Sequence, residues 1–540
     1  MERKKRFQYT VLLILLALGL AIAACGKQEE APKKGDTECI RLSLFCDVNF
    51  WKPPQWEIKK DSITGKISEK TGVVIDTNVP AQDADKQLSL LLMNGELPDM
   101  ISVTDNTMIS QLVDSGKVWD LEEFFETYLP DSHILRDFPQ DVLKMLKERD
   151  GGWYAWPSHI DSDDAREQWP PSAECYADEK EYLWNCGIIW NKKLLDELGI
   201  SIQQLQTKEQ VFHAFSMAKE WNRMQKDKKI IPLLVDGIDY QEFTLDFLQE
   251  TFGMLPVGED GAYRSAVLQP ETKEALQFLN QALREGYMSP EQLTWQNLTV
   301  KDTLAGGQVL CFIGNIANSD INALEWVSSG QIRSDSGKSP VWGKRNTSAT
   351  GWLNTFLSKS CEHPKELAVW LDYMTSEEGL LLWDCGLQGV DYELDQTGLV
   401  RRFTQEENPD KNEISVWWPF GNLAWLWSVL APYEEGSQED AASKIKVAYA
   451  KTEGTKIYDA SLIDISLEGE EKKLEETLNA YARKEISVLL LTGSPEEFEE
   501  KYKSLIEALE QKGIRELDKQ KNSLYQQKCR EAGESICPQE

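Results

Sequence analysis

The sequence predicts an α/β protein with more than one lobe and a helical C-terminal region, and three observations carry that reading. A chain of 540 residues with 41% hydrophobic and 10% aromatic content can bury large cores and is long enough to divide into more than one lobe. Segments of strand character alternate with helical ones between Cys39 and Val103, the order that builds parallel βαβ units. From roughly Leu467 onward the pattern is almost wholly helical.

Each element follows from local pattern. Cys39–Cys46 (CIRLSLFC) alternates well enough to form a strand, and Thr71–Asp76 (TGVVID) reads as a second strand following a helix. Gln87–Asn94 is apolar at helical spacing, and LPDMISV, ending at Val103, enters a third strand. Thr207 with Gln210 fits a capping box ahead of Val211, Phe215 and Ala218, which repeat at helical spacing. Near the C-terminus Ser494 is an N-cap, Pro495 the first helical residue and Glu497 the third. Phe498, Tyr502, Leu505 and Leu509 then share one face, and Gly513 stops the helix. No internal repeat is evident, and low order is expected only for residues 26–37 and about the last ten.

The N-terminus has its own logic. Arg3, Lys4, Lys5 and Arg6 precede an apolar run from Val11 to Ala24 that is short for a membrane span, as in a secretory signal. Ile22-Ala23-Ala24-Cys25 resembles a bacterial lipobox, with a charged tether after it. Residues 1–24 are therefore expected to be a signal peptide, residues 25–37 a tether, and Cys25 the site of lipidation, holding the protein on the outer face of the cell membrane. No later segment is apolar for long enough to span a bilayer.

The formal charge of −32 becomes −35 once the signal, with one acidic and four basic residues, is removed. Such a surface repels phosphate backbones, and no basic stripe is present, so nucleic acid is excluded as a partner. Without Cys25 nine cysteines remain, an odd number that leaves at least one thiol unpaired or bonded to another chain. Cys39 with Cys46, or Cys175 with Cys186, are conceivable pairs. No CxxC spacing occurs and the four histidines are far apart, so no zinc site is expected.

Several stretches, in order, resemble the extracellular solute-binding proteins of family 1, lipid-anchored receptors that feed ABC importers for sugars. They are EKTGVVID, NGELPDMI, VWDLEEFFETYLPDS, RDGGWYAWP, LWNCGIIWNKKLLDELGI, LAGGQVLCFIGN and HPKELAVWLDYMTSEEGLLLWDCGLQGVDYEL. The match runs from about residue 38 to the C-terminus. The GLQGVDYEL segment and the LLTGSPEEFEEKYKSLIEALEQKGI tail are similar to larger members from Gram-positive bacteria, mostly linked to complex oligosaccharides. The resemblance implies a two-lobed periplasmic-binding-protein-like fold with discontinuous lobes. Lobe 1 would comprise residues 38–155 and 351–400, and lobe 2 residues 156–350 and 401–540 with the helical C-terminus. Crossings would fall near Tyr154–Pro157, Thr350–Phe356 and residue 400. Some relatives carry an Asp- and Asn-rich calcium loop where this chain has QKDKKIIP, so no metal or other cofactor is expected.

The resemblance further implies capture of a carbohydrate, in all expectation an oligosaccharide, between the lobes and delivery to ABC permease subunits by a monomeric receptor. Sugars combine hydroxyl edges with C–H faces, which calls for aromatic platforms beside polar groups in a concave site. Loops at strand ends offer Asp47, Asn49 and Trp51 after the first strand and Thr104, Asp105 and Asn106 after the third. Asp99 is expected to brace its turn. Val103 stands where some maltose-binding relatives have an aromatic, which argues against a close maltodextrin-like pose. Trp153, Tyr154 and Trp156 at the first crossing suit hinge packing as well as a platform, and Trp352 is placed similarly at the second. Among Trp417, Trp418, Trp425 and Trp427, at least two are expected to pack inward, with Trp418 and Trp425 as the exposed pair. The acidic stretch HIDSDD, His159–Asp164, lacks the Gly and terminal Glu of a calcium loop and is read as a solvated insertion.

Enzyme readings find little support. Gly337-Lys338-Ser339 ends like a phosphate loop, but Ile332 occupies the position of the first required glycine. No G-x-S-x-G or H-E-x-x-H motif occurs, and with 90 acidic residues a carboxylate pair for glycoside cleavage is uninformative. A secreted glycoside-cleaving enzyme is the weaker alternative. A sensory accessory protein that reports the same sugar to a membrane kinase is not separated from a receptor by sequence.

Overall fold

The computed structural model describes residues 39–224, 229–258, 260–344, 351–465, 467, 469–533 and 535–536. Cys25, its signal peptide and the tether lie outside the described residues, as do residues 225–228, the first half of QKDKKIIP.

Thirteen strands are described: β1 (Ile40–Cys46), β2 (Val73–Asn78), β3 (Met100–Val103), β4 (Ala155–Pro157), β5 (Cys186–Asn191), β6 (Ile231–Val235), β7 (Val309–Asn315), β8 (Trp326–Ser328), β9 (Val341–Lys344), β10 (Asn354–Leu357), β11 (Tyr392–Leu394), β12 (Val400–Arg402) and β13 (Lys456–Asp459). They form a five-stranded sheet ordered β2-β1-β3-β10-β4, a four-stranded sheet ordered β6-β7-β5-β8, and two short pairs. The β1–β2 and β1–β3 pairs are parallel, whereas β10 runs antiparallel to β3 and β4.

The first sheet forms because its strands bury both faces. Leu42 and Leu44 of β1 point into one core with Val73, Ile75 and Met100, while Phe45 points into the opposite core with Ile101 and Val103, the two-residue period of a strand. The intervening helix Ile63–Thr71 is capped by Ser62, whose side chain accepts from the Gly65 N–H, and ends at Gly72 with φ 72°, a left-handed stop that glycine adopts without strain. Asp99, as expected, braces its turn: its carboxylate accepts from the Ser43 N–H and hydroxyl, both at 2.7 Å.

The second sheet packs in a separate core of Ile188, Trp190, Leu233, Phe312 and the helices Lys208–Met224, Gln241–Thr251 and Pro270–Arg284. The C-terminal helices Gly469–Leu490, Pro495–Gln511 and Ile514–Ala532 continue from it. Ser494 caps the middle one by accepting from the Glu497 N–H at 3.2 Å. On that helix's buried face Phe498 and Tyr502 join the second core, while Leu505 and Leu509 join a smaller core of the C-terminal helices.

The lobe boundaries differ from those expected. Residues beyond Pro157 do not pass at once to the second core, because Ile160, Ala165 and Tyr176 still pack in the first, and the second begins at Cys186. Nor does the return fall at residue 401, since Trp417, Phe420, Trp425 and Leu430 also belong to the first core. The reason is long-range pairing: the Ile160 N–H donates to the Gly421 carbonyl at 3.2 Å, and the Ala424 N–H donates to the Ile160 carbonyl at 3.1 Å. The chain rejoins the second core only with Ile445 and Tyr449.

No disulfide links the described cysteines. Cys39 and Cys46 sit at opposite ends of one extended strand, about 23 Å apart at 3.3 Å per residue, far beyond disulfide reach. Cys175 packs with the first core and Cys186 lies buried in the second. Among the described residues no helix is long and apolar enough to cross a membrane.

Candidate functional site

The loops that leave β1 and β3 are tied together at the C-terminal edge of the first sheet. Asp47 accepts from the Thr104 N–H at 2.7 Å and from its hydroxyl at 3.0 Å. Burial raises the Asp47 pKa above the usual carboxylate range, and its other oxygen is buried without a hydrogen-bond partner among the described residues. Asp105 accepts from the Met108 N–H at 2.8 Å as the N-cap of helix Asn106–Asp114, while Asn49 and Asn106 are exposed beside these loops.

On this edge four rings from four separate segments lie nearly parallel. Trp352 and Trp418 stack with centroids 5.2 Å apart and planes 20° apart. His159 lies 5.4 Å from Trp418 and 6.1 Å from Trp352. Phe50 lies 6.2 Å from Trp352 and 6.4 Å from Trp418. Phe50 and Trp352 are 52% and 43% exposed, high values for large apolar rings gathered in one place.

The local backbone explains the convergence. Gly351 has φ +66°, and a Cβ there would stand 2.7 Å from the Ser158 nitrogen. Only glycine lets the segment leading to Trp352 lie this close to the one leading to His159. The Ser158 N–H donates to the Leu353 carbonyl at 2.9 Å. His159 has φ 53°, uncommon for a non-glycine residue. Burial lowers its pKa to about 4, so the ring is neutral at physiological pH, and its Nδ1 is buried without a partner among the described residues.

Beneath the four rings lies a second, buried aromatic layer. Trp51 is 3% exposed and its indole N–H donates to the Val416 carbonyl at 2.8 Å. It meets Trp417 edge-on at 5.7 Å and Trp418 at 6.1 Å. Trp51 thus braces the platform from below. Trp153 is 2% exposed, bonded to the Ala155 carbonyl at 3.1 Å and packed 4.4 Å from Phe138, which makes it core. Tyr154 packs against the opposite core of the sheet. Trp425, expected on the surface, is 3% exposed in the first core, because the helix Leu423–Val429 that carries it, capped by Asn422, turns inward.

The structure therefore unites Trp352 and Trp418 and adds Phe50 and His159, which sequence reasoning missed. Phe50 stands between two residues singled out for their loop position, and that adjacency was the available signal. His159 was masked by the acids that follow it. Of those acids Asp161 and Asp164 are engaged, while Asp163 pairs with Lys180 yet remains exposed to solvent. Asp161 is buried and ion-paired with Arg166, Asp163 pairs with Lys180 at 2.6 Å, and Asp164 accepts from the Asp141 N–H at 2.9 Å. Of the cations near the crossings, Arg345 lies outside the described residues, and the others are engaged: Lys344 with Glu181 at 2.7 Å, Arg401 with Glu407 at 2.7 Å and Arg402 with Asp384 at 3.1 Å.

The second sheet presents a comparable edge. β6 and β7 end there and the antiparallel β5 begins there, with Cys186 opposite Asn315. Asp236, next after β6, is 2% exposed and accepts from the Asn315 N–H at 2.5 Å; burial pushes its pKa up to about 8. Phe243 packs 5.8 Å from Trp184 and 5.9 Å from Tyr240. Ile238, on the loop after β6, and Leu298, in the first turn of the helix Asn297–Ala305, are 61% and 69% exposed, and their segments join where the Ile238 N–H donates to the Trp295 carbonyl at 2.8 Å. A separate cavity of about 210 Å³ lies within the first lobe, lined by Phe138, Trp156, Trp169 and Glu377 among others. No group of three or more His, Cys, Asp or Glu among the described residues is arranged to hold a metal ion.

No protein-family model matches the sequence. Solved structures match the fold along nearly the whole chain. One is the S. pneumoniae ABC-transporter substrate-binding protein FusA, an EF-hand mutant in complex with fructo-nystose: 16% identity, 92% of this chain and 100% of that chain covered, TM-score 0.65. A solute-binding protein from Bifidobacterium longum infantis, associated with an ABC transporter and binding HMO, gives 14% identity, coverage of 90% and 98%, and a TM-score of 0.61. The N-glycan transport solute-binding protein NgtS from Streptococcus pneumoniae gives 17% identity, coverage of 92% and 99%, and a TM-score of 0.58. The chain thus has the two-lobed α/β fold of ABC-transporter solute-binding proteins.

Proposed function

We propose that this protein is a lipid-anchored extracellular receptor that captures a neutral oligosaccharide between its lobes and delivers it to an ABC permease. The observation that carries the reading is the array of Phe50, Trp352, Trp418 and His159, in which Phe50 and Trp352 are about half exposed, on a chain with the fold of such receptors. Aromatic faces bind the C–H faces of sugar rings, and neighbouring polar groups select among hydroxyls. The named proteins of like fold support a sugar as ligand, with kestose bound to FusA among them. A neutral ligand is favoured because Arg166, Lys344, Arg401 and Arg402 already neutralise acids and the chain carries a formal charge of −32.

The action is capture without chemistry. Sugar seats on the first-lobe rings, the second edge adds contacts, and the closed form is favoured by those extra contacts. Cys25 carries the lipid that keeps the receptor at the outer face of the membrane, and the importer subunits are its protein partners.

The test is a thermal-shift and calorimetric screen against kestose, milk oligosaccharides and N-glycan fragments, with reducing ends assayed in parallel. Saturable stabilisation by at least one sugar without new reducing ends is expected. Turnover of a glycan, or no stabilisation by any sugar in the panel at millimolar concentration, overturns the reading. Loss of the lipid mass in Cys25→Ser is the corresponding test of anchoring.

A further inference from the structure

We infer that Ser415 and Asp384 form a clamp that aims Trp418 at the ligand, so that both are positioning residues of the aromatic platform. The inference rests on reading the four-ring array as that platform.

Ser415 has φ 59°. A side chain with a Cβ adopts that conformation at a cost, and it persists where the surroundings over-determine it. Here they do. The Ser415 hydroxyl donates to Asp384 Oδ1 at 2.5 Å, and the Ser415 N–H donates to the Trp383 carbonyl at 2.9 Å. Asp384 is 5% exposed and is itself held by Arg402, whose Nη2 donates to the Asp384 carbonyl at 2.8 Å and to Oδ1 at 3.1 Å. The acceptor sits on a single π-helical turn, Leu381–Cys385, a local widening often found at functional sites.

The consequences run directly along the chain. Val416 receives the Trp51 indole N–H at 2.8 Å, Trp417 enters the core at 2% exposure, and Trp418 emerges to stack on Trp352. A residue at 415 with an ordinary right-handed backbone would redirect the three that follow. The cluster costs a buried carboxylate and a strained residue, and what it fixes is the direction of one indole.

The stacked pair supplies a readout that needs no ligand. Two indoles 5.2 Å apart and nearly parallel couple their transitions, and the circular-dichroism difference between the unmodified protein and Trp352→Phe isolates that couplet. Ser415→Ala is expected to lose half or more of it, and Asp384→Asn, which leaves residue 415 unchanged, to reduce it as well. Ser415→Gly, which takes the left-handed conformation freely, is expected to retain most of it. A full couplet in both Ser415→Ala and Asp384→Asn overturns the inference, and so does equal loss in Ser415→Gly and Ser415→Ala. Should Ser415→Ala fail to fold, the Asp384→Asn and Ser415→Gly comparison decides. Because no sugar is added, a wrong ligand assignment leaves this result untouched.

Discussion

Two aromatic layers meet at the edge of the first sheet, and they are built on opposite rules. The buried layer of Trp51, Trp370, Trp417 and Phe420, with the partly buried Trp56 beside it, packs edge to face, with interplanar angles of 79° between Trp51 and Trp417 and 88° between Trp370 and Phe420. The outer layer of Phe50, His159, Trp352 and Trp418 lies nearly parallel, within 18° to 26° where its rings meet. Edge-to-face contacts satisfy the ring quadrupole within the protein. The outer rings partly cover one another's faces, and the exposed parts of Phe50 and Trp352 stay open to solvent. Tryptophan density thus marks the core, and the site is marked by where that density ends.

The predictions test this division, from the largest effect to the smallest. Trp417→Ala empties a space among three indole rings, Trp51, Trp56 and Trp370, and should cost about 3–5 kcal/mol, measured by denaturant unfolding; a change below 1 kcal/mol would place Trp417 in the outer layer instead. His159 comes next. Its pKa is about 4 in the fold against an ordinary 6.5, so the fold favours the neutral ring. The stability this confers is complete above pH 6.5 and is lost as pH falls toward 4, up to about 3 kcal/mol. His159→Phe should flatten that slope in melting-temperature profiles, and an unchanged profile would show that the ring titrates freely.

Trp418→Ala should lower affinity for whichever sugar the screen identifies by at least tenfold, about 1.4 kcal/mol, while costing less stability than Trp417→Ala. Equal stability losses in the two variants would erase the distinction between the layers. The smallest effect belongs to Asp105→Ala, which removes a helix cap and should cost about 1 kcal/mol of stability with affinity unchanged, as calorimetry would record.

What the sequence made legible was local. The strand Ile40–Cys46, the cap at Ser494 and the stop at Gly513 follow from neighbours within a few residues, and all are present. Trp352 and Trp418 were identified as loop tryptophans, but nothing local distinguished Trp418 from Trp425. Their difference arises because Asn422 starts a helix that turns inward. The platform itself joins residues 50, 159, 352 and 418, separations that periodicity does not reach. The lobe boundaries escaped for the same reason, since the pairing of Ile160 with the Gly421–Ala424 turn leaves no trace in either segment alone.

The helix Glu174–Tyr182 joins the two cores by unlike means. Toward the first, Tyr176 stacks on Trp427 and its hydroxyl donates to the Ala431 carbonyl at 2.7 Å. Toward the second, Tyr182 packs against the core, and two ion pairs are added, Asp178 with Lys451 and Glu181 with Lys344 from β9. Dissolved salt screens partly exposed ion pairs and leaves ring stacking nearly untouched. Rising ionic strength therefore weakens the two ion pairs at one end of this connector and spares the stacking at the other.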